Sequence, residues 1–123
     1  MVKFYNSLTR TKEEVPAHDG NVVKMYSCGP TVYSYPHIGN FRAYLFMDNI
    51  RRVLKYNGYK MDGVMNITDV GHLTSDADEG EDKMLVASKR EHKSPWEIAK
   101  YYTEIFLNDA KLLNIDLPEH IVP

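Results

Sequence analysis

The stretch Cys28-Gly-Pro-Thr-Val-Tyr-Ser-Tyr-Pro-His-Ile-Gly-Asn40 holds the side chains best suited to chemistry. Cys28 is the single cysteine of 123 residues, so no disulfide forms within the chain. As a thiolate it is a soft metal ligand; as a thiol it is a small apolar core residue. One cysteine makes no four-sulfur metal site, so any co-ligands must be His, Asp or Glu. Farther along, His37 can donate a hydrogen bond to a phosphoryl oxygen, and Pro36 stiffens the approach to it. Gly39 admits a ligand close to the main chain, and N–H groups at the start of a following helix favour phosphate. Taken singly, each has a plainer reading, as a turn glycine or a structural histidine. Together they describe a nucleotide cradle with a sulfur at its lip.

Such a cradle needs a strand before it and a helix after it. Val22 to Ser27 (VVKMYS) is rich in β-formers and flanked by glycines, which predicts a strand. Cys28 to Asn40, with two prolines and two glycines, is expected to be a shaped loop. A helix is predicted from Asn40 to Tyr56, its apolar residues Tyr44, Met47, Ile50 and Leu54 at three- and four-residue steps, with Gly58 stopping it. Lys60 to Ile67 is the next strand, and Thr68 to Asp82 is a polar, acidic loop. Lys83 to Glu91 is a short helix. Ser94 as N-cap, Pro95 at the first helical position and Glu97 closing a capping box mark the last helix. Trp96, Ala99, Tyr102, Ile105 and Phe106 form its apolar face, with Leu113 farther along, and Asn114 and Pro118 end it. Upstream, Phe4 to Leu8 is a short strand and Thr9 to Gly20 a polar loop. The order strand, loop, helix, strand, connection, helix is the βαβ start of an α/β fold with a parallel sheet. Its strands call for further neighbours, so the fold is expected to be incomplete.

Composition sets the frame. Hydrophobic residues are 43% and charged residues 26%, ordinary for one globular domain and unlike a disordered, coiled-coil or collagenous chain. No apolar run approaches the ~20 residues that cross a bilayer, and Met1 to Arg10 lacks a secretory signal pattern. A cytoplasmic protein is expected, with neither membrane nor DNA among its partners. A net charge of −2 leaves any RNA contact to a local basic patch or to other parts of a protein.

His37-Ile38-Gly39-Asn40 resembles the HIGH motif of class I aminoacyl-tRNA synthetases, and Cys28-Gly29-Pro30-Thr31-Val32-Tyr33 upstream resembles cysteinyl-tRNA synthetases in particular. The likeness extends through Tyr5-Asn6-Ser7-Leu8-Thr9-Arg10, Gly58-Tyr59-Lys60 and Asn66-Ile67-Thr68-Asp69, in order over essentially the whole chain. It implies that residues 1–123 are the N-terminal, HIGH-motif portion of a catalytic domain, the first half of a Rossmann-like parallel-sheet nucleotide-binding fold. By the same resemblance Cys28 is the first zinc ligand, the metal holding the substrate thiolate. A serine hydroxyl is a far poorer ligand, which explains selectivity between near-isosteres. Thr31, His37, Gly39 and Asn40 contact ATP, with His37 and Asn40 carrying the catalytic role. Gly29, Thr31, Thr68 and Asp69 line the amino-acid site. Asn40 departs from the motif's final His; it can hydrogen-bond ribose or phosphate but carries no positive charge.

The reaction so implied is adenylation of cysteine by ATP followed by transfer to tRNA(Cys). It needs no protein nucleophile, only positioning and stabilised phosphate charge. The other zinc ligands (a cysteine, a histidine and a glutamate) and the KMSKS loop are expected downstream; His18, His72, His92 and His120 do not match those ligand positions. This polypeptide alone is therefore expected to bind zinc weakly or not at all and not to charge tRNA. Asp76, Asp78, Glu79, Glu81 and Asp82 around Gly80 superficially suggest a calcium loop. The glycine is one place early for an EF-hand and no glutamate closes the pattern, so a solvated or substrate-gating loop is expected. Lys24-Met25-Tyr26-Ser27 faintly echoes KMSKS but precedes Cys28 on a strand and reads as core. Other readings are the cysteine ligase of mycothiol synthesis, a non-catalytic nucleotide-binding paralogue, and a general nucleotidyltransferase; the last has no need of Cys28 or of Asn66 to Asp69.

Overall fold

The computed structural model describes residues 1–69 and 83–123. Thr68, expected to open the acidic loop, instead ends a strand that runs from Lys60, and the rest of that loop from residue 70, with the cluster from Asp76 to Asp82, lies outside the described residues. Two pieces of sheet are present. Strands β1 (Lys3–Asn6) and β2 (Thr11–Glu14) form an antiparallel hairpin, while β3 (Val22–Thr31), β4 (Lys60–Thr68) and β5 (His120–Val122) form a parallel sheet in that spatial order. Helix α1 (Ile38–Tyr56) links β3 to β4, and α2 (Lys83–Glu91) and α3 (Pro95–Leu112) precede β5. The sheet is open, a partial Rossmann-like arrangement.

Several expectations are corrected. Thr9–Gly20 is not all loop, because β2 occupies Thr11–Glu14, and β1 stops at Asn6 rather than Leu8. The hairpin carries no alternating pattern since nearly all its residues are exposed; side-chain bonds hold the turn instead, with Asn6 Oδ1 accepting from Leu8 N–H and Asn6 Nδ2 donating to Glu13. Strand β3 runs past Ser27 to Thr31, so Cys28 and Gly29 are strand residues, not loop residues. The ladder with β4 continues through Cys28 opposite Asn66, slips, and resumes at Thr31 opposite Thr68. Pro30 lacks an N–H, and a β-bulge absorbs the slip. A Cβ at position 29 would lie 1.9 Å from the Asn66 carbonyl oxygen, so only glycine fits there.

Helix α1 begins at Ile38 rather than Asn40 because His37 caps it. Helix α3 starts as its capping box predicts, Ser94 Oγ accepting from Glu97 N–H. Its buried stripe is Ile98, Ala99, Tyr102, Phe106 and Ala110, with Ile105 partly buried. Trp96, 72% exposed, and Leu113, 46% exposed, are not on that face. Trp96 precedes Ile98 by two residues, about 200° of helix away, and Leu113 is the C-cap. Lys24-Met25-Tyr26-Ser27 is strand as expected, but only Ser27 is buried. Strand β5 has no counterpart in the expectations; its three residues follow Pro118.

Helices α1 and α3 cover one face of the sheet. Met65 packs with Phe41, Tyr44, Phe106 and Ala110, and Ile67 with Val32, Ala87, Ile98 and Tyr102. On the opposite face Tyr26 and Cys28 of β3 are exposed beside Val64 and Asn66 of β4. Segment 114–119, which delivers β5, is clasped by α1. Arg51, 2% exposed, donates from both terminal nitrogens to the Glu119 carboxylate at 3.1 and 2.8 Å, and also bonds the Asp116 and Leu117 carbonyls. Asp48, also buried, accepts from Asp116 N–H and from Arg52. Among the described residues, no helix is long and apolar enough to cross a membrane.

Candidate functional site

The C-terminal end of β3 and the N-terminus of α1 enclose a cleft of about 240 Å³. This is where open parallel sheets take ligands, because strand ends and helix N-termini converge there. Thr31, Ser34, His37 and Asn40 supply its polar wall, and Tyr44, Tyr102 and Phe106 its floor. His37 Nδ1 accepts from Gly39 N–H at 3.1 Å, while Asn40 Oδ1 accepts from His37 N–H at 3.0 Å. This reciprocal cap has a chemical consequence. With Nδ1 acting as acceptor, the neutral imidazole carries its proton on Nε2 and is a donor there, the form suited to a phosphoryl oxygen. Gly39 N–H is committed to the cap, and Gly39 lines a shallower groove on the outer side of α1 with Ile38, Arg42 and Phe46.

The two floor tyrosines remain neutral donors. Burial, and secondarily the nearby Cys28, pushes the Tyr44 phenol up to about 12. Burial and then the hydrogen bond to Glu91, at 2.6 Å, push Tyr102 up to about 12. Tyr35 stands at the mouth with its hydroxyl 3.0 Å from that of Tyr101, whose ring lies under Lys93.

The other expected site residues are distributed around this cleft. Cys28 is exposed, one strand position from Gly29 and on the outer face of the sheet. Gly29 N–H donates to the Asn66 side chain at 3.2 Å. Thr68 pairs with Thr31, and its carbonyl accepts from Val32 N–H. Asp69 lies in a separate groove on the α3 side, with Trp96, Lys100 and Thr103. Thus Thr31, His37 and Asn40 share one cleft, Cys28, Gly29 and Thr68 sit along its strand edge, and Asp69 faces another groove.

Among the described residues, no three His, Cys, Asp or Glu side chains group closely enough to hold a metal. Cys28 offers one exposed soft donor, so these residues do not form a zinc site by themselves. Asn66 and Tyr26 were not among the expected site residues. Tyr26 Oη donates to Asn66 Oδ1 at 3.0 Å, and Asn66 Nδ2 donates to Thr68 Oγ1 at 3.2 Å. Their only sequence signal was Asn66 opening the Asn-Ile-Thr-Asp segment.

Residues 14–122 match the model of the class I (C) tRNA synthetase catalytic domain. The chain belongs to that family. It is 55% identical over 118 residues to a cysteine–tRNA ligase of Novosphingobium aromaticivorans, covering 95% of this chain and 24% of the relative. It is 51% identical over 117 residues to the cysteine–tRNA ligase of Zymomonas mobilis, covering 95% and 23%. To that of Borreliella burgdorferi it is 45% identical over 122 residues, covering 99% and 25%. This class I synthetase chain thus spans about a quarter of the length of those relatives.

Proposed function

We propose that this chain is the nucleotide- and amino-acid-binding part of a cysteine–tRNA ligase, acting on cysteine, ATP and tRNA(Cys) in the cytoplasm. The observation that carries the reading is the single cleft shared by Thr31, His37 and Asn40 at the end of β3, with Cys28 exposed on the same strand. In the first step a cysteine carboxylate oxygen bonds to the α-phosphorus of ATP as the bond to the bridging oxygen breaks and pyrophosphate leaves. The aminoacyl group then passes to the tRNA 3′ end. The chain's own residues position and neutralise: His37 donates from Nε2 to a phosphate oxygen, and Asn40, steadied by the His37 main chain, lies against the nucleotide. Thr31, Gly29 and Thr68 face the amino acid, whereas Asp69 lines the neighbouring groove with Trp96 and Lys100. Cys28 would be one ligand of a zinc ion, which when bound would hold the substrate sulfur; the described residues bring no three potential ligands together.

The test is cysteine-dependent ATP–pyrophosphate exchange by the intact protein. Cys28→Ser is expected to lower kcat/KM for cysteine by about 100-fold, the scale of one lost binding interaction in a discriminating site, with the KM for ATP unchanged. Equal loss toward both substrates, or none, refutes the assignment of Cys28.

A further inference from the structure

Asn66 stands at a junction that none of the assigned residues explains. Across the parallel ladder it is the direct partner of Cys28, on a neighbouring strand about 4.8 Å away. Its side-chain oxygen accepts from both Tyr26 Oη, at 3.0 Å, and Gly29 N–H, at 3.2 Å. Its nitrogen donates to Thr68 Oγ1 at 3.2 Å. Gly29 lies where β3 slips out of register with β4, with no residue of β4 directly opposite it. A side-chain oxygen thus holds a main-chain donor at the slip, one residue after Cys28. Because Thr68 Oγ1 already accepts from the Asn66 amide, the Thr68 hydroxyl proton is directed elsewhere, and Thr68 meets a ligand as a donor.

We propose that Asn66 is a positioning residue for amino-acid binding: its amide oxygen locks the Cys28–Gly29 bulge and its amide nitrogen turns the Thr68 hydroxyl into an oriented donor for an acceptor atom of the bound substrate. The proposal rests on the ligase reading for its substrate, and on the hydrogen bonds alone for the bulge. An acid at this position separates the two halves. Asn66→Asp keeps an oxygen acceptor for Gly29 and Tyr26 but has no N–H for Thr68. Asn66→Ala loses both.

Hydrogen exchange of the Gly29 amide reads the first half without any activity. It is expected to accelerate about ten-fold in Asn66→Ala and to stay near wild type in Asn66→Asp. Pyrophosphate exchange by the intact protein reads the second half. Both variants are expected to raise the KM for cysteine about ten-fold while leaving the KM for ATP unchanged, a split that mere loss of folded protein does not produce. Unchanged Gly29 exchange in Asn66→Ala overturns the bulge lock. A wild-type cysteine KM in Asn66→Asp overturns the orienting role and leaves the ligase reading intact. A wild-type protein without cysteine-dependent exchange overturns the ligase reading and the orienting role together.

Discussion

His37 serves two masters. Its ring caps α1 through Nδ1, and the same bond leaves the Nε2 proton facing the solvent or a ligand. Structural and chemical roles of this side chain are therefore separable by substitution. His37→Asn keeps a good N-cap acceptor and should retain wild-type stability in urea, whereas His37→Ala should lose about 1 kcal/mol. Both remove the imidazole donor, so both are expected to lower kcat/KM for ATP in pyrophosphate exchange by about 100-fold. If His37→Asn were fully active, the imidazole would be only a cap.

At the scale of elements, the Arg51 clasp decides whether β5 joins the sheet. Arg51 is buried under segment 114–119, and Glu119 is tied both to it and, through Gly63 N–H at 2.7 Å, to β4. The Arg51 guanidinium beside it holds the Glu119 carboxyl down at about 2. A depressed carboxylate pKa contributes stability above the ordinary value of 4.5, and that contribution is lost as pH falls from there toward about 2. Urea midpoints measured from pH 7 down to 2 should therefore drop for the wild-type chain and flatten in Glu119→Gln. At pH 7 Glu119→Gln should cost about 2 kcal/mol, the scale of a hydrogen bond to a charged group, since Arg51 keeps its two carbonyl partners and Asp116 at 3.7 Å.

For the whole molecule, the question is what these 123 residues can do unaided. Cys28 is the only cysteine, and the described residues bring no three potential ligands together. Equilibrium dialysis of the chain at neutral pH is therefore expected to show far less than one tightly held zinc ion. Stoichiometric tight zinc overturns that expectation. On the outer face of the sheet Tyr26 is 63% exposed beside the half-buried Val64 of β4.

The sequence by itself determined the local grammar and the family. Short-range signals suffice where the physics is short-range: Ser94, Pro95 and Glu97 start α3 because a cap involves only neighbouring residues, whereas of the expected α1 face Tyr44 and Leu54 are buried and Met47 and Ile50 only half-buried, Phe41, Asp48 and Arg51 completing the buried side. The HIGH-like tetrapeptide stands at the start of α1, where His37 caps the helix, for the same reason. Tertiary structure alone decided the rest. That Cys28 and Gly29 belong to a strand depends on β4 lying alongside, that the Gly29 amide needs Asn66 depends on a slip between strands 37 residues apart in sequence, and that β5 exists depends on a clasp from Arg51, 68 residues before Glu119. Local preference cannot encode such pairings. They form because a buried guanidinium and a strand amide at a slip in register must find partners wherever the fold brings them within reach.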